Sequence, residues 1–111
     1  MKVYIAGKIT GTNKEQTTAK FATAQRMIEA MGFETENPMN FPIHWDTPSH
    51  EALQVCLPIL RQCNVLFVLN DYRTSEGTFI EINEAMDLSK LIIFEDFNGY
   101  NVLNDLSKIA N

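Results

Sequence analysis

Val65-Leu66-Phe67-Val68-Leu69 is apolar at every position. A strand with one face in water would alternate, so this run reads as a strand covered on both faces, as the strands of parallel sheets are. It leads directly into Asn70-Asp71-Tyr72-Arg73-Thr74-Ser75-Glu76-Gly77-Thr78-Phe79-Ile80-Glu81, a polar turn that opens a helix and puts one carboxylate, Glu81, in that helix's first turn. Ligands of parallel sheets gather at the C-terminal ends of the strands, and residues 70–81 occupy that edge.

Working outward, turn signals cut the chain into alternating strand and helix segments, the pattern of an α/β domain. Strand one spans about Lys2 to Ala6 and stops at Gly7. The loop Lys8-Ile9-Thr10-Gly11 leads to helix one, where Thr12 and Glu15 have capping-box spacing, Phe21, Ala24, Ile28 and Met31 form the apolar stripe, and Gly32 ends the helix. Phe33 to Glu36 alternates and reads as a short strand near a sheet edge. Residues 37–48 contain three prolines and the large aromatics Phe41 and Trp45, and an unstructured connection of that length suits a binding loop. Thr47 as N-cap and Pro48 as first helical residue start helix two, whose inner stripe is Leu53, Cys56, Leu57 and Leu60, with Pro58 expected to kink or shorten it. A third helix to about Lys90, a strand Leu91 to Phe94 and a terminal helix from about Asn101 complete one domain over residues 1–111. Right-handed crossovers give a parallel sheet of about four strands in the order 2-1-3-4, with the crevice between strands one and three.

A chain of 111 residues supports one core and leaves no separate substrate domain. Its net charge of -5 argues against duplex nucleic acid held through phosphates, so a small molecule is the expected partner. The opening apolar run is too short for a signal peptide and no stretch reaches the length of a membrane span, which reads as a cytoplasmic protein. Cys56 and Cys63 lie seven apart on one helix, which suits core packing and neither a disulfide nor a metal site. His44 and His50 lack partners at ligand spacing and read as solvated. Neither a metal nor a cofactor is expected.

Two loops carry candidate chemistry. Gly7-Lys8-Ile9-Thr10-Gly11, after a strand and before a helix, offers N–H groups and a helix N-terminus to an anion, although it matches neither the P-loop nor the dinucleotide fingerprint. A tight turn that merely needs glycine is the alternative. Ser75, Gly77 and Thr78 open helix three and could hold a second polar group. Glu81 follows, but Thr78 and Glu81 also have capping-box spacing, which gives Glu81 a purely structural explanation.

The opening Val-Tyr-Ile-Ala-Gly-Lys-Ile-Thr-Gly, the Met-Gly-Phe-Glu that closes helix one, Cys63-Asn64-Val65 and Ser75-x-Gly77-Thr78-x-x-Glu81 followed by Ala85 resemble the nucleoside 2-deoxyribosyltransferase superfamily over about residues 2–95. Within it, the sequence is most similar to a short bacterial and phage branch, and similar also to the 2'-deoxynucleoside 5'-monophosphate N-glycosidases. The resemblance implies a flavodoxin-like three-layer sandwich, a Glu81 nucleophile that attacks the anomeric carbon of a deoxyribose, and Tyr4 as the residue that orients it. Water or a second base would resolve the covalent intermediate, as in retaining glycosidases. Ser75 matches a serine that binds a 5'-phosphate, with Gly7, Lys8, Ile9 and Gly11 as further substrate contacts. A nucleoside or nucleotide partner and a homodimer or higher homo-oligomer are implied with it.

The sequence departs from that pattern. Asn64 and Ser75 stand where relatives carry acids, so the proton donor to the leaving base is unassigned, with Asp71 and Asp46 as candidates if burial or like charge raises their pKa. Trp45 and Phe41 could stack a base or pack the long loop onto the sheet. A nucleotide sensor without turnover and, more remotely, a small FMN carrier are the alternatives to an enzyme.

Overall fold

A computed structural model describes residues 1–95; the terminal helix expected from about Asn101 lies outside the described residues. Four parallel strands, β1 (Lys2–Ala6), β2 (Glu34–Glu36), β3 (Val65–Val68) and β4 (Leu91–Phe94), form one sheet in the order β2-β1-β3-β4. The helices are α1 (Lys14–Ala30), α2 (Ser49–Arg61) and α3 (Glu76–Asp87), with short 3-10 turns at Pro38–Asn40 and Tyr72–Thr74.

Strand parity sorts the two cores. Val3, Ile5, Val65, Phe67 and Ile93 face one side, where Phe21, Ala24 and Ile28 of α1 cover them. Tyr4, Ala6, Leu66 and Val68 face the other, against Cys56 and Leu60 of α2 and Ile82 and Ala85 of α3. Successive residues of a strand point to opposite faces, so a tyrosine at position 4 has to project between α2 and α3.

Several local expectations are corrected. Asn13, not Thr12, caps α1 by accepting from Gln16 N–H at 2.9 Å, while the Thr12 hydroxyl donates to the Ile9 carbonyl. Pro48 is still extended (φ -57°, ψ 147°), so α2 starts at Ser49, and Thr47 instead donates its N–H to the His44 carbonyl. Pro58 does not end α2, which runs on to Arg61. Loss of one helical hydrogen bond there is offset by burial of Cys56 and Leu60 against the sheet. Glu81 is the sixth residue of α3 and so lies in the second turn rather than the first.

At the sheet's C-terminal edge, Leu69 N–H donates to the Ala6 carbonyl at 2.8 Å, which draws the ends of β1 and β3 together. A Cβ on Gly7 would stand 2.7 Å from Leu69 Cδ1 and 3.0 Å from Leu69 Cβ. Gly7 is therefore required for close approach of the two strand ends. Gly7→Ala is expected to lower stability by roughly 1–3 kcal/mol through overpacking, as measured by urea denaturation.

Candidate active site

The starts of α1, α2 and α3, the loop after β1 and the long loop after β2 enclose a cleft of about 220 Å³ at the C-terminal edge of the sheet, room for one small molecule. Lys14 and Ser49, the first residues of α1 and α2, and Ser75 and Gly77 at the start of α3 all line it. That convergence follows from topology, since helices that follow parallel strands begin at this edge, with their unpaired N–H groups directed there.

Glu81 lines the cleft from α3, and its carboxylate accepts a 2.5 Å hydrogen bond from the Tyr4 hydroxyl. Both groups are buried, Tyr4 fully and Glu81 to 7% exposure. Burial pushes the Glu81 carboxyl from 4.5 up to about 7, and the Tyr4 bond opposes that rise. Burial, then the adjacent Glu81 charge, drives Tyr4 well above its ordinary value, so the phenol keeps its proton and remains the donor. Beside them, burial raises the Cys56 thiol to about 11, which leaves it a neutral wall of the cleft. The capping-box explanation of Glu81 does not hold: Ser75 is the N-cap, its Oγ accepting from Thr78 N–H at 3.2 Å, and the Glu81 carboxylate is bound to β1 instead.

Of the residues singled out from sequence, Gly7, Ile9, Trp45, Ser75, Gly77, Thr78 and Glu81 line the cleft, with Tyr4 directly behind Glu81. Ser75 and Thr78 also bond to each other through their hydroxyls at 2.8 Å, so both serve the helix start. Lys8, Gly11 and Asp71 lie off the main cleft. Gly11 lines a neighbouring hollow with Trp45, and the Lys8 ammonium donates to Thr74 Oγ1 at 3.0 Å. Asp71 accepts from Lys8 N–H at 3.1 Å and pairs with the Lys20 ammonium, an arrangement that clamps the β1 loop. Phe41 does not line the cleft; its ring packs on Tyr4 at 6.1 Å between centroids. Asn64 accepts from Lys2 N–H at 2.9 Å at the opposite end of β1, remote from Glu81 in the strand.

Sequence reasoning overlooked Lys14, Ser49 and His44 as cleft residues. Thr10 and Ser49 hydroxyls meet at 2.8 Å and join the β1 loop to the start of α2. The position of Lys14 and Ser49 as first helical residues was the available signal. His44 is exposed to solvent, as expected, but not without a partner: it lines the cleft and its Nδ1 pairs with the Asp46 carboxylate. No cluster of three or more His, Cys, Asp or Glu side chains able to hold a metal ion occurs among the described residues, and no helix among them is long and apolar enough to cross a membrane.

Residues 1–94 match the family described as Domain of unknown function (DUF4406). The chain belongs to that family. No curated protein sequence matches it. Among solved structures, this DUF4406 chain is similar to the Clostridium botulinum CMP N-glycosidase BcmB, with a TM-score of 0.59 and 22% identity over 85% of this chain and 70% of that one. The likeness supports the fold expectation: the four-stranded parallel sheet and its flanking helices are shared architecture.

The buried carboxylate has a thermodynamic signature. Between pH 4.5 and about 7 the folded protein retains a proton on Glu81 that the unfolded chain has released, so its contribution to stability falls as pH rises and levels off above that range. Glu81→Gln is expected to be more stable than the parent at pH 8 by on the order of 3 kcal/mol. The difference should vanish near pH 4, with urea denaturation at the two pH values as the check.

Proposed function

We propose that this protein cleaves the N-glycosidic bond of a deoxynucleoside or its 5'-monophosphate, with Glu81 as the attacking group. The observation that carries the reading is a single carboxylate, buried at the floor of a small-molecule cleft and bound by the buried hydroxyl of Tyr4. The fold likeness to a CMP N-glycosidase and the sequence resemblance to nucleoside 2-deoxyribosyltransferases support it.

In this reading the Tyr4 hydroxyl fixes one carboxylate oxygen, Oε2, and leaves Oε1 to approach the anomeric carbon. An oxocarbenium-like transition state develops positive charge beside the carboxylate, and the covalent ester that follows is opened by water or a second base. Desolvation makes the carboxylate both more basic and more strongly attracted to that charge than it would be in water. The Lys14 side chain and the N-termini of α2 and α3 provide positive potential for a phosphate on the same molecule. Trp45, on the cleft wall, offers an aromatic face to a base.

A panel of deoxynucleosides and their 5'-monophosphates, with base release followed by chromatography, tests the reading. Release should fall at least roughly 10³-fold in Glu81→Gln. Because the attacking form is ionised, kcat/KM should fall as pH is lowered through about 7. Absence of base release from the whole panel, or release undiminished by Glu81→Gln, contradicts it.

A further inference from the structure

The glycosidic reading leaves a chemical gap, because a nucleobase departs poorly as an anion and needs a proton. Asp71 is committed to Lys20 and to the Lys8 N–H, and the buried Cys56 thiol is pushed up to about 11. Resting on that reading, we infer that His44, held by Asp46, delivers the proton to the departing base. His44 is the one imidazole among the described residues lining the cleft, and Glu81 lines the same cleft from α3.

The geometry is that of a presented dyad. Thr47 N–H donates to the His44 carbonyl at 3.0 Å, closing a turn over residues 44–47 in which Asp46 reaches back to Nδ1 of His44. Phe41 and Ile43, immediately before the turn, pack into the core cluster that contains Tyr4, and Thr47 and Ser49 line the cleft just after it. The dyad therefore stands on partly buried supports, and the His44 side chain, at the cleft, is 81% exposed. A carboxylate on Nδ1 holds the proton on that nitrogen, which leaves Nε2 as the exchanging nitrogen.

In the first step Glu81 forms a bond from its free oxygen to the anomeric carbon as the carbon–nitrogen bond breaks. The electron pair of that bond stays on the base, which takes the proton from Nε2, and His44 becomes neutral. In the second step a water oxygen bonds to the anomeric carbon, its proton passes to Nε2, and the ester bond to Glu81 breaks. Carboxylate and imidazolium are thereby restored.

Leaving-group dependence tests the role directly. The wild type, His44→Gln, Asp46→Asn and Glu81→Gln are compared on the deoxynucleoside 5'-monophosphate turned over fastest and on 4-nitrophenyl 2-deoxyribofuranoside 5-phosphate, whose nitrophenolate leaves without a proton. His44→Gln should lose about 10²–10⁴-fold on the nucleotide and stay within about threefold of wild type on the nitrophenyl glycoside. Asp46→Asn should show a smaller loss with the same selectivity, and Glu81→Gln should lose both activities. Equal losses on the two substrates in His44→Gln, or no loss on either, overturn the proton-donor role while leaving Glu81 in place. A wild type inert on both substrates overturns the glycosidic reading itself.

Discussion

The Tyr4 hydroxyl and the Glu81 carboxylate satisfy each other inside the fold, and neither has water as a ready alternative. A buried phenol or carboxylate without a partner costs several kcal/mol, roughly the scale of a small domain's net stability. Their bond therefore links the choice of strand register, the packing of α3 and the chemistry of the cleft. Among the described residues no buried side-chain polar atom lacks a partner, so this site gains its reactivity without leaving an orphaned group. What it leaves is a carboxylate poised near neutrality.

That poise sets structure against function in a specific way. Burial on the face that holds Tyr4 takes the carboxylate out of water, and the same burial raises the energy of its ionised form. An apolar residue at position 81 would pack well and do nothing. Asp71 and Lys20 show the contrary design: a partly exposed ion pair that spends its charge on holding the loop after β3 against α1. Two acidic residues ten apart in sequence thus have opposite roles, decided by solvent access and by the nature of the partner.

Much of this was legible in the sequence. The unbroken apolar run at residues 65–69 identified a doubly covered strand, Gly7 marked the point where β1 must stop, and the 2-1-3-4 order followed from crossover handedness and gave the observed sheet. Glu81 was placed at the cleft edge by its distance from that run. Less legible was anything settled by a one-residue choice between competing hydrogen bonds: Asn13 displaced Thr12 as the α1 cap, and the extended backbone of Pro48 delayed α2 until Ser49. Least legible were pairings across loops. The Asp71 to Lys20 clamp spans 51 positions, and the pairing of His44 with Asp46 depends on a turn whose supports, Phe41 and Ile43, are fixed only by tertiary packing.

The central claim is that the Glu81 carboxylate is buried against Tyr4 and titrates near neutrality. Carbon-13 NMR of protein labelled at glutamate side-chain carboxyls reads this directly, the Glu81 resonance being assigned by its loss in Glu81→Gln. An inflection at about pH 7, moving higher in Tyr4→Phe, is the expected result. A Glu81 resonance that titrates at its ordinary 4.5 in both proteins would contradict the account.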